Sequence, residues 1–174
     1  VRVPGAQAFG KWLLRTAHGC ADLTLVTSPQ LKEECSEYGI RRLGVWQKGI
    51  NTERFSPDFR DVDMRARLAG GNEHVDAPLG VYVGRLGGEK RLDRLKSVLD
   101  ENPGLRLALV GDGPARADLE KHFEGMPVHF TGPLSGDELS QSFASADMFL
   151  MPSDSETLGF VVLEAMASGI PVVA

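Results

Sequence analysis

The sequence predicts an α/β protein built on a parallel sheet. From Leu79 onward, short apolar runs alternate with loops and amphipathic stretches. Repeated strand–loop–helix units of this kind give a parallel sheet with helices on both faces. The last stretch, Met148 to Ala174, reads as strand, loop, helix and strand, the βαβ crossover. Between Gln47 and Pro57 the rhythm breaks, with Gly49, Asn51 and Pro57 among scattered charges, which marks a linker or a surface crossing. Three regions follow: 1–48 as the end of one α/β unit, 49–78 as crossing and linker, and 79–174 as most of a second unit.

The elements follow in order. Phe9, Leu13 and Ala17 lie on one helical face. Leu23 to Thr27 reads as a strand. Ser28-Pro29 opens a helix, with Ser as N-cap and Pro at the first helical position, and Gly39 closes it. Leu43 to Trp46 is a short strand. Asp58 to Ala69 is charged and holds a helix, and Gly70 to Pro78 is a polar loop. The second unit begins with strand Leu79 to Val83, loop Gly84 to Lys90 and helix Leu92 to Leu99. Strand Leu105 to Val110, turn Gly111 to Pro114 and helix Ala115 to Phe123 come next. Then comes strand Val128 to Phe130. Ser135 with Glu138 forms a capping box for a helix to about Ala144. Strand Met148 to Met151 ends at Pro152, and helix Gly159 to Ser168 is stopped by Gly169 and Pro171. Trp12 and Trp46 are expected in the core.

Composition excludes several classes. At 42% hydrophobic and 25% charged, the 174 residues are those of a globular protein. A net charge of -5 gives no bias towards nucleic acid. No run of eighteen apolar residues spans a membrane. Cys20 and Cys35 lack metal spacing and fit a reducing compartment. His18, His74, His122 and His129 show no ligand spacing. Asp61-Val62-Asp63 imitates a metal-binding D-x-D, but no apolar strand precedes it to fix both carboxylates, so it is expected at a solvated surface and no metal site is expected. The chain starts at Val1 and stops inside an apolar strand, and both native ends are expected to lie beyond it.

Ligands of such sheets bind at the carboxyl ends of the strands. Three loops fall there. Gly84-Arg85-Leu86-Gly87-Gly88-Glu89-Lys90 combines glycines, which let amides approach an anion, with two cations suited to phosphate oxygens; a plain surface loop has the same composition. Gly111-Asp112-Gly113 is first a tight turn. The third loop carries Glu156 and leads to Glu164 on the last helix. At helical spacing Glu164 is flanked by Phe160, Val161, Ala167 and Ser168, none of which neutralises a carboxylate. A buried unpaired charge is unfavourable by several kcal/mol, so Glu164 must find donors or face an opening. Two vicinal hydroxyls of a ribose fit it, with phosphates at the helix N-terminus and a further polar group on Glu156. That set describes a sugar nucleotide; a solvated helix edge with a polar loop is the plainer alternative.

Taken together, Gly84-Arg85-Leu86-x-x-Glu89-Lys90, Gly111-Asp112-Gly113-Pro114 and Glu156-x7-Glu164, with Gly159-Phe160-x-x-Leu163-Glu164-Ala165-Met166-Ala167 inside the last, resemble retaining glycosyltransferases with two Rossmann-like domains, the GT-B type. Sucrose-phosphate synthases and bacterial mannosyltransferases belong to that group. A narrower similarity, carried by Leu95 to Asp100, Gly136 to Gln141 and Ser155 to Glu164, is to the plant and algal transferases of sulfoquinovosyl diacylglycerol synthesis. The resemblance runs from about Ala17 and is densest after Leu79. It implies transfer of sulfoquinovose from UDP-sulfoquinovose to diacylglycerol with retention, at a chloroplast envelope or thylakoid surface, without cofactor or metal. UDP-glucose or GDP-mannose with another acceptor is the alternative within the class, and a non-catalytic nucleotide-binding module the alternative outside it. By resemblance Arg85 and Lys90 hold the diphosphate and stabilise the leaving UDP. Glu164 binds the ribose, and Glu156 contacts the donor sugar. The amides of Thr157, Leu158 and Gly159 meet the phosphates, and Gly84, Gly111, Asp112 and Gly113 border the nucleotide. One departure is Lys48-Gly49-Ile50-Asn51, where the group often has Gly-Val-Asp, so that Asp is absent.

Overall fold

The structure, a computed structural model, describes residues 6–46, 49–153 and 159–174, with side chains from residue 8 onward. The chain divides into two units, Val1–Gly49 and Ile50–Ala174.

The first unit holds α1 (Ala6–Gly19), β1 (Thr24–Val26), α2 (Pro29–Glu37) and β2 (Leu43–Val45). β1 and β2 are parallel, with Thr24 opposite Leu43. The start of α2 is as expected: the Ser28 hydroxyl accepts from the Leu31 N–H at 3.1 Å and Pro29 occupies the first turn. Trp12 and Trp46 depart from expectation, being 59% and 47% exposed. The reason for Trp12 lies in which side of α1 makes contacts. Lys11 sits over the Tyr38 ring, Arg15 lies against Gly39, and His18 bonds the Thr24 hydroxyl. The polar side is therefore the docked one, and Phe9, Trp12 and Leu13 face away from these contacts.

The second unit is a five-stranded sheet. Its elements are α3 (Val62–Ala69), β3 (Leu79–Val83), α4 (Leu95–Glu101), β4 (Arg106–Val110), α5 (Arg116–His122), β5 (Val128–Gly132), α6 (Gly136–Ala144), β6 (Met148–Leu150), α7 (Phe160–Ala167) and β7 (Val172–Val173). The strand order is β5-β4-β3-β6-β7 and every pair is parallel. The chain therefore builds outward from β3 to one edge, returns, and builds from β6 to the other. Period-two alternation assigns the two faces. Leu79, Val81, Ala108, Val110, Phe149 and Met151 enter one core with Phe143, Ala165 and Ile170. Tyr82, Leu107, Leu109 and Leu150 enter the other with Leu92, Leu95, Leu99 and Leu119.

Residues 49–78 are more than a linker. Phe55, Met64 and Leu68 are buried in the first of these cores, Phe55 edge-on to Phe143 at 5.8 Å. Interleaved charges hid this, because Asp63, Arg65 and Arg67 alternate with the apolar positions of α3. Arg65 on α3 fixes the segment further. Its guanidinium donates to the carbonyls of Val75, Ser145 and Ala77 and to both Asp147 oxygens, at 2.6 to 3.0 Å. Burial pushes the Asp147 carboxyl up, but the bonds from Arg65 and the Leu79 N–H, with the charges of Arg65 and Arg60, outweigh it and hold it below the usual range. Asp61 proves to be the N-cap of α3, its Oδ1 accepting from the Met64 N–H at 2.7 Å. The expected capping box of α6 is absent. The helix begins at the expected place, but the Ser135 side chain makes no cap bond and Glu138 instead accepts from Arg67 at 2.9 Å.

Candidate functional site

In a sheet wound outward in both directions, the crevice opens where the winding reverses. Here that is between β3 and β6. The loop after β3 and the end of β6 flank it, the turn after β4 stands beside that loop, and α7 follows β6 in the chain. The loop Gly84 to Lys90, the turn Gly111 to Pro114 and the start of α7 thus lie at one edge.

The loop after β3 and the turn after β4 are joined by backbone. The Gly84 N–H donates to Val110, Leu86 N–H to Asp112, and Ala115 N–H to Leu86, at 2.9 to 3.0 Å. The Tyr82 hydroxyl, from a residue buried under the loop, donates to the Arg85 carbonyl at 3.1 Å. Gly111 has φ +135, and a Cβ there would fall on the Gly84 carbonyl oxygen; a Cβ on Gly113 would fall on that of Leu86. These glycines let two chain segments approach closely. Asp112 closes its own turn, with Oδ1 accepting from the Gly113 N–H at 2.7 Å. Arg85 is exposed and makes no ion pair among the described residues, while Lys90 lies half-buried in the helical turn Gly88–Lys90.

The other side is different in kind. Gly159 starts α7 in the left-handed conformation, with no capping side chain and no acid in the first turn. The first-turn N–H groups and the dipole of a helix favour an anion at its N-terminus. Glu164, one turn further, is half-buried, and its carboxylate has no hydrogen-bond donor among the described residues. Burial pushes its pKa up, and the charge of Arg54 opposes that rise. Beyond the end of β6, the Ser153 hydroxyl is buried and has no partner among the described residues. Glu156, Thr157 and Leu158, expected at this side, lie outside the described residues.

Arg54 and Ser153 were missed in the sequence. Arg54 lay in the presumed linker, and only Asn51 three residues earlier, a turn-forming type, pointed to an ordered segment. Ser153 had no signal beyond its place after a strand. The histidines have local roles: His122 contacts the Asp93 carbonyl, and burial with the charges of Arg67 and Arg106 lowers the pKa of His129. Among the described residues no cluster of His, Cys, Asp and Glu could hold a metal, and no helix is long and apolar enough to cross a membrane.

Comparison with known proteins gives three findings. The family model described as glycosyl transferases group 1 matches residues 67–174. The sulfoquinovosyl transferase SQD2 of Arabidopsis thaliana is 53% identical over 93% of this chain and 32% of its own length, and a GDP-mannose-dependent alpha-mannosyltransferase of Mycobacterium tuberculosis is 39% identical over 97% and 43%. Sucrose-phosphate synthase from Thermosynechococcus elongatus superposes with a TM-score of 0.75 at 27% identity, over 99% of this chain and 45% of that one. The chain thus spans less than half the length of each of these relatives.

Proposed function

The chain belongs to the glycosyl transferases group 1 and has the α/β fold of the GT-B type, and from that premise we propose that its second unit binds a nucleotide sugar. The observation that carries this is Glu164, a half-buried carboxylate with no donor among the described residues, one turn inside the start of α7 at the point where strand order reverses. Vicinal ribose hydroxyls supply two donors to such a carboxylate, and the phosphates then fall at the start of α7. Arg85 and Lys90, on the opposite loop, hold the diphosphate and stabilise charge on the departing nucleotide, a role that metal ions fill elsewhere. Glu156, Thr157, Leu158 and Gly159 complete the donor side, with Glu156 on the sugar.

The donor we propose is UDP-sulfoquinovose and the acceptor diacylglycerol at a membrane surface, with retention of configuration. The 53% identity to the Arabidopsis sulfoquinovosyl transferase supports this; a chloroplast location follows the same reading. The 39% identity to a GDP-mannose-dependent enzyme supports a second, GDP-mannose with another acceptor. The test is transfer to diacylglycerol by the full-length enzyme, given UDP-sulfoquinovose, UDP-glucose or GDP-mannose in parallel. Sulfolipid formed at the highest kcat/KM from UDP-sulfoquinovose is the expected result. Preference for GDP-mannose overturns the donor assignment and leaves the nucleotide-sugar site standing.

A further inference from the structure

We propose that the first unit carries a binding site for a phosphoryl anion, formed by Arg15, Arg41 and Arg42 with His18. These residues line one open pocket of about 470 Å3, together with Gly19 and Gly39. The pocket lies at the end of α1 and in the turn between α2 and β2, ahead of the amino ends of both strands. It uses none of the residues assigned to the nucleotide sugar. Basic residues outnumber acidic ones over residues 1–49, although the whole chain carries a net charge of -5.

The pocket is built by two bonded turns. Gly39, with φ +79, ends α2: its N–H donates to the Ser36 carbonyl at 2.8 Å and the Ile40 N–H to that of Cys35 at 3.1 Å. The turn brings Arg41 and Arg42 round to α1, where Arg15 Cδ would stand 3.3 Å from a Cβ on Gly39. Arg42 has φ +58, a left-handed conformation that residues with a side chain seldom adopt. Two bonds hold it there. The Thr24 N–H donates to its carbonyl at 2.9 Å, and its Nη2 donates to the Gly19 carbonyl at 2.6 Å. His18 is half-buried, and its Nδ1 is hydrogen-bonded to the Thr24 hydroxyl at 3.0 Å, which leaves Nε2 as the ring nitrogen for the pocket.

Cations beside helix ends often do no more than offset the helix dipole, and α1 and α2 both end here. The magnitudes leave a surplus. Each helix end carries about half a negative charge, so the two offset about one of the three guanidiniums. Hydrogen bonding agrees. Backbone N–H groups of Cys20 and Ala21 already donate to Ala17 and His18, and those of Tyr38, Gly39 and Ile40 to Glu34, Ser36 and Cys35. Arg42 takes the Gly19 carbonyl, while Arg15 and Arg41 make no hydrogen bond or ion pair among the described residues. The acidic residues of the unit, Asp22, Glu33, Glu34 and Glu37, do not line the pocket, and none forms an ion pair among the described residues. Like charges gathered without a carboxylate repel one another, and a bound anion relieves this. Guanidinium forks bind phosphate oxygens in pairs. A phosphoryl group offers three acceptor oxygens and up to two charges, which three guanidiniums and an imidazole match better than they match a carboxylate.

The phosphoryl group belongs either to a soluble phosphate or to a lipid headgroup, and the test separates the two. It uses full-length enzyme and reads His18, a residue the proposed donor site does not contain. Histidine is labelled with 13C at Cε1, and the His18 resonance is identified by its loss in H18Q. Inorganic phosphate is titrated into wild type, R15Q, R41Q, R41K, R15Q/R41Q and K32Q; Lys32 is an exposed cation of α2 outside the pocket. In a second arm each protein is sedimented with vesicles of phosphatidylcholine containing phosphatidic acid, and with phosphatidylcholine alone. The expected result is a saturable His18 shift with phosphate. R15Q and R41Q should each bind about tenfold more weakly, the loss of a hydrogen bond to a charged group. R41K should recover part of this, and K32Q should match wild type. If phosphate leaves His18 unmoved, but phosphatidic acid vesicles hold wild type and K32Q and release R15Q and R41Q, the source is a lipid headgroup. Binding of neither ligand overturns the site. Equal losses in K32Q and R41Q overturn it as well, since they mean general attraction to a basic unit. A His18 shift or vesicle binding that persists at full affinity in R15Q/R41Q overturns it too. Arg15 and Arg41 are exposed, so urea midpoints of these variants should match wild type.

Discussion

The two sides of the crevice between β3 and β6 use their polar groups in opposite ways. On the β3 and β4 side, loop amides and carbonyls are bonded to one another, and Gly111 and Gly113 exist where backbone meets backbone. On the α7 side, among the described residues, no side chain caps the helix N-terminus, the Glu164 carboxylate has no donor and the Ser153 hydroxyl has no partner. Buried polar groups in folded proteins are normally satisfied. The backbone of the first side is therefore satisfied from within the chain, while under the proposed function the second side is completed by the ligand.

The largest effect that would break this contrast is expected from Gly111→Ala. The new Cβ would fall on the Gly84 carbonyl at a φ of +135 that side chains rarely adopt. Such a clash with strain is expected to destabilise by roughly 3 kcal/mol or more, read as a lower urea midpoint, with UDP binding falling only in step with the folded fraction. A stable G111A that fails to bind UDP would instead make this turn a ligand contact.

Arg85→Ala and Lys90→Ala come next. In full-length enzyme each is expected to remove roughly 2–4 kcal/mol of transition-state stabilisation, by analogy with an oxyanion donor. The unfolding midpoint should hardly move for Arg85→Ala, since Arg85 is exposed, and a chelator should leave the wild-type rate nearly intact. Wild-type kcat/KM in both variants, or abolition of activity by chelator, would remove the two cations from the leaving-group role.

Which parts of this could be read from the sequence follows from the range of the interactions. The strands from Leu79 on, the start of α2 at Ser28-Pro29 and the end of α7 at Gly169 are local events, fixed by periodicity and cap residues, and they were legible. The edge on which the loop Gly84 to Lys90 and the turn Gly111 to Pro114 gather follows from parallel topology, so their common placement was legible. The burial of Phe55 could not be read, because its partner Phe143 lies far along the chain and Phe55 itself stands in a stretch that looks like linker. Glu138 was misread for the same reason: a cap within reach in sequence lost to Arg67, 71 residues distant. The exposed Trp12 shows the reverse, an apolar face that periodicity finds but whose neighbours it does not supply.

Glu164→Gln sharpens the contrast most, though its magnitude is smaller. UDP affinity is expected to drop by about 1.5–3 kcal/mol at pH 7, the usual worth of hydrogen bonds to a charged group. The ribose does not react, so donor KM should rise with a smaller change in kcat; Glu156→Gln should do the opposite. Stability should move the other way from binding. Because burial raises the Glu164 pKa, the folded chain holds that proton to higher pH than the unfolded chain does. The folded state then binds more protons between the ordinary and the raised pKa, so this group's contribution to stability grows as pH falls through that window and is unfavourable above it. At pH 7 the neutral amide relieves the burial penalty, and E164Q should unfold at the same or a higher urea concentration than wild type. A variant that loses both stability and UDP binding would make Glu164 part of the frame, and the division between the two sides would fall.

The smallest effect is expected from Asp61→Ala, which tests a residue that a motif search would put in the active site. Its carboxylate caps α3 by accepting from the Met64 N–H, and loss of such a cap destabilises by about 1 kcal/mol. The second carboxylate of the motif, Asp63, lies in the first turn of α3, where a negative charge favours the helix dipole. D61A is therefore expected to shift the urea midpoint modestly, and D61N, which retains an acceptor, to shift it less. Both should keep wild-type UDP affinity and kcat/KM with and without added divalent cation. A cation-dependent loss of activity in D61N with unchanged stability would reverse the assignment, since a cap responds to the acceptor atom and a metal ligand to the charge.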